Sequence, residues 1–373
     1  MKIFHIGQHY DRTTAALLSD ARRGGDTVIA ALPAQEAALS LDPAAAALGS
    51  SFNERTWAAA GRMPLAGGAL QNALAASATT RLLELLQEHR PDVIHLHDIY
   101  GGFFQLDRLF DCLGSFKGRI VWTLDDCLPF TGDCAYTDDP AAHAESRACA
   151  DARRRFEQLR RVTLTTTSLW LKNMVKHSFM EKCRCDVVYK GVNPRIFRPC
   201  ENDFRKRFSV EEHRLILAVA RRWDEHSGLD TLLRLADRLD EYYQVAAVGL
   251  TPRQLRTLPQ NVIGLRYITN PTELAAMYTT ADILVTPTTA ASFSIVNGEA
   301  MACGTPAVSF DAGGNRELFA EGTGYGTAIP VGDEDALLDA ICTLSYTREA
   351  CLQQAKRFPI SHCCEHFAKL YRI

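Results

Sequence analysis

The stretch from Thr286 to Glu317 gathers the residues best suited to hold a charged, hydroxyl-rich ligand. It runs Thr286-Pro287, then Ala291-Ser292-Phe293-Ser294, then Glu299-Ala300-Met301-Ala302-Cys303-Gly304-Thr305-Pro306, and closes on Asp311-Ala312-Gly313-Gly314-Asn315-Arg316-Glu317. A strand that ends in a turn and feeds a helix N-terminus offers backbone N–H groups and a positive dipole end, which bind phosphate. Gly313 and Gly314 let the backbone approach a ligand closely, and Arg316 and Arg221 can supply charge to a departing diphosphate. The plainer reading of the same residues is a tight turn with two surface arginines. Glu299, in a helix of small residues, has a carboxylate able to accept two hydroxyls, or is an ordinary helix glutamate. The adjacent Asp125 and Asp126 suggest Mg²⁺ coordination, but a helix-capping or loop-anchoring role is the stronger expectation, and no metal is assigned.

These residues need a scaffold, and the hydrophobic pattern supplies one. Short β-branched runs at 2–6, 27–32, 92–96, 119–124 and 162–167 are each followed by helix-length segments. The pattern restarts at 214–220, 244–249, 262–268, 282–285 and 307–310. Such alternation signals βαβ units and parallel sheets. The chain's 373 residues exceed what one core usually organises, so two Rossmann-like domains are expected, with ligands in the cleft that they face. Gly191 and Pro194 break any regular element, which sets the boundary near residue 192: an N-terminal domain over 1–192 and a C-terminal one over 193–360. A final helix over about 361–373 is expected to pack back on the first domain. Residues 33–70, Ala-rich and weakly periodic, read as a long, partly mobile excursion.

Composition excludes several classes. With 47% hydrophobic and 23% charged residues the chain folds rather than remaining disordered, and a net charge of −3 argues against a nucleic-acid binder. No run is long and apolar enough to span a membrane, and the first residues do not read as a signal peptide, so a cytoplasmic protein is expected. Twelve cysteines are scattered; Cys127, Cys134 and Cys149 with His143 come closest to a zinc-ligand set, and buried reduced thiols are the expected state. Basic residues concentrate at Arg153, Arg154, Arg155, Arg160 and Arg161, followed by Lys172, Lys176, His177, Lys182 and Arg184. They form either a solvated helix face or a peripheral contact with anionic membrane or a phosphate-bearing lipid.

The 286–317 stretch resembles the nucleotide-sugar domain of the retaining glycosyltransferases of family 4, which have the GT-B fold. Val93-Ile94-His95-Leu96-His97-Asp98, Trp122-Thr123-Leu124-Asp125-Asp126 and Phe130-Thr131-Gly132-Asp133-Cys134-Ala135-Tyr136 resemble the colanic-acid branch of that family, and Trp223-Asp224-Glu225-His226-Ser227-Gly228 is similar too. The resemblance implies metal-independent transfer of a sugar from a nucleotide-diphosphate sugar, most simply a UDP-sugar. The acceptor would be a saccharide or lipid-linked molecule in bacterial surface polysaccharide or glycolipid synthesis, and no separate cofactor is implied. It also implies that Asp125, Arg221 and Glu299 do the chemistry. The donor would then be bound by Arg222, His226, Ser227, Ala291, Ser292, Phe293, Ser294, Gly313, Gly314, Arg316 and Glu317, with Glu299 on the ribose.

Four positions depart from the family pattern. The first member of its Glu-x7-Glu pair is Ala291, its loop lysine is Ser227, its sugar-facing histidine is Asp125, and its Gly-Gly acceptor loop is Asp11-Arg12-Thr13-Thr14. Subfamily variation and engineered substitution both account for such changes. Removing a group that stabilises a transition state typically costs ~10²–10³ in rate. A second reading is therefore a nucleotide-sugar-binding pseudoenzyme or scaffold subunit, and a third is a GT-B phosphorylase or epimerase.

Overall fold

The computed structural model describes residues 1–9, 11–33, 45–48, 67–319 and 324–373, and the expected excursion at 33–70 lies mostly outside them. The chain divides into two compact units, Met1–Val188 with Cys363–Ile373, and Tyr189–His362. The first division falls before Tyr189 rather than after Val192. Tyr189 packs tilted against Phe293 and edge-on against Phe358 and donates its hydroxyl to Glu317 Oε2 at 2.7 Å, which holds it in the second unit.

The first unit is built on strands β1 (Lys2–Ile6), β2 (Thr27–Pro33), β3 (Ala45–Leu48), β4 (Val93–Leu96), β5 (Arg119–Leu124), β6 (Val162–Thr166) and β7 (Cys185–Val187). They form one parallel sheet in the order β3-β2-β1-β4-β5-β6-β7. The second unit carries β8 (Arg214–Val219), β9 (Tyr243–Val248), β10 (Val262–Leu265), β11 (Ile283–Thr286), β12 (Ala307–Phe310) and β13 (Gly326–Ile329). These are also parallel, in the order β10-β9-β8-β11-β12-β13.

Both sheets are covered on both faces, which is why their strands read as unbroken apolar runs. Along β8, Leu215 and Leu217 enter one core cluster, with Tyr278 and Met301, while Ile216 and Ala218 enter the opposite one, with Leu232 and Phe310. In the first unit Phe4, Ile94, Phe110 and Trp122 fill the largest cluster. Asp11, standing where the family pattern has its Gly-Gly acceptor loop, caps the helix Arg12–Arg23 by accepting from Thr14 N at 2.7 Å.

The closing helix, Ile360–Arg372, buries Phe367, Leu370 and Tyr371 in the first unit. Arg119 donates to the Tyr371 carbonyl at 2.6 Å, Arg372 pairs with Asp26 at 2.9 Å, and the Tyr371 hydroxyl meets His95 Nδ1 at 2.7 Å.

Candidate functional site

In each sheet the strand order reverses at one point, between β1 and β4 and between β8 and β11. Ligands of such folds bind outside the carboxyl ends of the strands at that point. In the second unit three loops meet there, following β8, β11 and β12.

The loop after β8 is held from below by Trp223, whose indole N–H donates to the Val248 carbonyl at 2.9 Å. Asp224 Oδ1 then accepts from the backbone N–H groups of His226 and Ser227, each at 3.1 Å, and lies 2.6 Å from Ser227 Oγ. Ser227 thus closes the loop on itself and brings no charge. The His226 carbonyl accepts from Thr289 N at 2.9 Å and Thr288 Oγ1 at 2.8 Å, tying this loop to the one after β11. Gly228 sits at φ +79°, and a Cβ there would lie 2.0 Å from the Pro287 carbonyl oxygen, so the close approach of the two loops requires glycine.

The loop after β12 joins the same knot. Gly314 N donates to the Ala291 carbonyl at 3.2 Å, and Gly313 takes φ +55°. Asn315 is fully buried; its Oδ1 accepts from Ser294 N at 3.0 Å while its Nδ2 donates to Ser309 Oγ at 3.2 Å and to the Phe310 carbonyl at 3.3 Å. Sequence reasoning had passed over Asn315, although its place directly after Gly313-Gly314 was visible. It had also passed over Asn297, whose Oδ1 accepts from Thr286 Oγ1 at 2.6 Å and whose buried Nδ2 has no partner among the described residues.

The structure brings His226, Ser227, Ala291, Ser294, Gly313 and Gly314 together through these bonds. Ser292 and Phe293 are buried beneath the loop, and Arg221, Arg222 and His226 have exposed side chains. Arg316 is also exposed and pairs with Asp311, and Glu317 takes the Tyr189 hydroxyl. Glu299 is more deeply placed than a surface ligand-binder: it is 2% exposed, inside the helix Ile295–Ala302, and accepts from the Tyr278 hydroxyl at 3.1 Å. That helix has no side-chain N-cap, which leaves its positive end for an anion.

Asp125 belongs to the first unit, at the carboxyl end of β5. Beside it Asp126 anchors the turn into the next helix, Leu128–Thr131, by accepting from Leu128 N at 2.9 Å. Desolvation, with the nearby Asp98 and Asp125 charges, pushes the Asp126 carboxyl up to about 8. At the β1/β4 reversal stand His5, His95 and His97. His5 Nδ1 lies 2.9 Å from His97 Nε2, and His95 Nε2 lies 2.7 Å from Thr123 Oγ1. Burial, then repulsion from neighbouring imidazoles, holds His5 and His95 well below the ordinary histidine range.

The cysteine set expected to come nearest to zinc ligation does not converge. The thiols of Cys127, Cys134 and Cys149 point to the carbonyls of Thr137, Tyr136 and Phe130, and His143 pairs with Asp133 at 3.0 Å. The basic helix is partly committed as well: Arg154 and Arg155 both reach Asp107, at 3.0 and 2.8 Å. No helix among the described residues is long and apolar enough to cross a membrane.

Comparison with known proteins follows the same division. Residues 17–195 match the family model Glycosyltransferase Family 4, and residues 213–346 match Glycosyl transferases group 1. A D-inositol 3-phosphate glycosyltransferase of Catenulispora acidiphila is 30% identical over 215 residues, 51% of each chain. An uncharacterized glycosyltransferase of Methanocaldococcus jannaschii is 26% identical over 64% of this chain and 62% of its own. The chain therefore spans between half and two thirds of the length of these relatives. Sucrose-phosphate synthase from Thermosynechococcus elongatus superposes with a TM-score of 0.76 at 17% identity, covering 100% of this chain and 98% of its own. Anabaena HepE in complex with UDP-glucose superposes with a TM-score of 0.73 at 16% identity, covering 99% of both chains. The first part of this chain thus matches the family 4 glycosyltransferase model and the second part the group 1 model, on a GT-B fold.

Proposed function

We propose that the chain is a retaining glycosyltransferase that moves a sugar from a UDP-sugar to a saccharide or lipid-linked acceptor in bacterial surface polysaccharide or glycolipid synthesis. The observation that carries this reading is the knot of three loops at the β8/β11 reversal. Its loops carry the exposed Arg221, Arg222, His226 and Arg316, and the helix Ile295–Ala302 starts from it without a side-chain cap. These groups offset the charge that develops on the diphosphate as the sugar–phosphate bond breaks, so transfer needs no metal. UDP is the first donor to try because HepE binds UDP-glucose. The inositol 3-phosphate relatives add a phosphorylated cyclitol to the acceptor panel.

The test is release of nucleoside diphosphate from a panel of donors, with and without acceptor, with added Mg²⁺ or Mn²⁺ leaving the rate unchanged. NMR of the product's anomeric configuration checks retention. A second reading, a donor-binding subunit without turnover, is favoured by Ala291 and by Ser227, whose hydroxyl serves the loop rather than the phosphate. Saturable nucleotide binding with no release from any donor selects it. Peripheral membrane contact through Arg153, Arg160, Arg161 and Lys172 extends the first reading, and co-flotation with anionic but not neutral vesicles checks it.

A further inference from the structure

The three histidines at the β1/β4 reversal have no part in the proposed transfer. His5 and His95 are paired in register on adjacent strands, and His97 follows at the end of β4. One ring nitrogen of each lies within 4.8 Å of one from each of the others, and both His5 and His95 are buried. His5 Nε2 is buried and has no hydrogen-bond partner among the described residues. An orphaned polar atom of this kind costs stability unless something takes its lone pair or proton.

We propose that His5, His95 and His97 form a binding site for a first-row divalent metal ion of the zinc type, separate from the donor site. Three neutral imidazoles make a borderline-soft nitrogen set that suits Zn²⁺ and Co²⁺ and disfavours Mg²⁺ and Ca²⁺. In a tetrahedral site with Zn–N of about 2.0–2.1 Å the nitrogens stand about 3.3 Å apart. Small side-chain rotations reach this spacing, and they fall most easily on His97, which is only half-buried. The surroundings already orient the rings. His95 touches the hydroxyls of Thr123 and Tyr371, both at 2.7 Å; it ligates through Nε2 in place of the Thr123 contact and keeps the Tyr371 hydroxyl on Nδ1 as the outer hydrogen bond that fixes its tautomer. A water completes the fourth position from the half-open side of His97. Because Tyr371 lies on the closing helix, the ion ties that helix to β1 and β4.

The experiment uses the full chain, purified in chelator and titrated with Co²⁺ while visible absorption is recorded, then with Zn²⁺ by calorimetry. The expected result is one equivalent per chain, with d–d bands of a nitrogen-oxygen site and no thiolate charge-transfer band, since the twelve cysteines are the competing ligands. His97→Ala should weaken binding by more than about 100-fold, and Tyr371→Phe by about 10–100-fold, the usual effect of losing an outer partner. Melting in chelator shows whether each variant is folded, and His97→Gln replaces any that is not. Absence of one-equivalent binding, a thiolate band, or affinity unchanged in a folded His97 variant each overturns the proposal.

Discussion

Replacing Glu299 by alanine separates two roles that its position permits. The carboxylate is buried and accepts the Tyr278 hydroxyl, so truncation leaves that hydroxyl without its partner in the core at a cost of about 1–3 kcal/mol in stability. If Glu299 also holds the ribose, nucleotide binding weakens by a further ~1–3 kcal/mol, or about 5- to 150-fold in Kd. The two effects are separable because Tyr278→Phe removes the same internal hydrogen bond while leaving the carboxylate. The expected pattern is loss of stability in both variants by urea unfolding, and loss of UDP affinity by calorimetry only in Glu299→Ala. Unchanged UDP affinity in folded Glu299→Ala would refute the ribose role and leave Glu299 as a link between two helices.

Asp125→Asn should depress turnover sharply while sparing nucleotide affinity, as expected of a charge felt only in the transition state; full turnover with a lowered melting temperature would make Asp125 a structural residue. Ala291→Glu should raise turnover without changing UDP affinity if the missing carboxylate orients the donor sugar, and a steady-state comparison of kcat and Kd checks it. In metal-free protein the unfolded chain takes up protons at His5 and His95 as pH falls below about 6.5, before the folded state does, so stability declines there by at most ~1.4 kcal/mol per pH unit for each histidine. Asp126 acts oppositely. With its folded value near 8 and an unfolded one near ~3.9, stability falls as pH rises between these values, so Asp126→Asn should stabilise the protein at pH 7.5 in urea titrations.

The central strands were legible because both faces of each sheet are buried, and β1, β5 and β12 run as their apolar runs indicate. Of the four edge strands, β10 (Val262–Leu265) was legible within its apolar run and three were not. β3 (Ala45–Leu48) is nearly all alanine, β7 (Cys185–Val187) is three half-buried residues, and β13 opens on Gly326 at φ +140°. Each pairs on one side only, so it carries little of the apolar content that marks a strand. The site divided similarly. Its backbone elements follow from local order, strand then turn then helix. The knot that Asn315 and the His226 carbonyl tie does not, because it depends on loops 21 and 62 residues apart meeting above neighbouring strands. The histidine cluster has the same origin: His5 and His95 are brought into register only once β1 and β4 pair.

The knot also bears on what the departures from the family pattern cost. Ser227 stands where a cation is expected, yet the loop keeps its shape through Asp224, and Arg221, Arg222 and His226 remain exposed around it. Charge for a diphosphate is a property of all the basic residues near it, and one member can be lost without abolishing it. Ala291 is different. Its carbonyl is used to hold Gly314, so the backbone at that position is fixed, and a methyl side chain there offers no group to a sugar hydroxyl. Under the proposed function the departures therefore fall on separate steps: Ser227 on diphosphate binding, where other basic residues remain, and Ala291 on orientation of the sugar. A site of that kind should bind donor and transfer slowly, unless an acceptor supplies the missing orientation. On this argument the difference between a slow transferase and a binding subunit lies in kcat, and affinity for the nucleotide does not distinguish them.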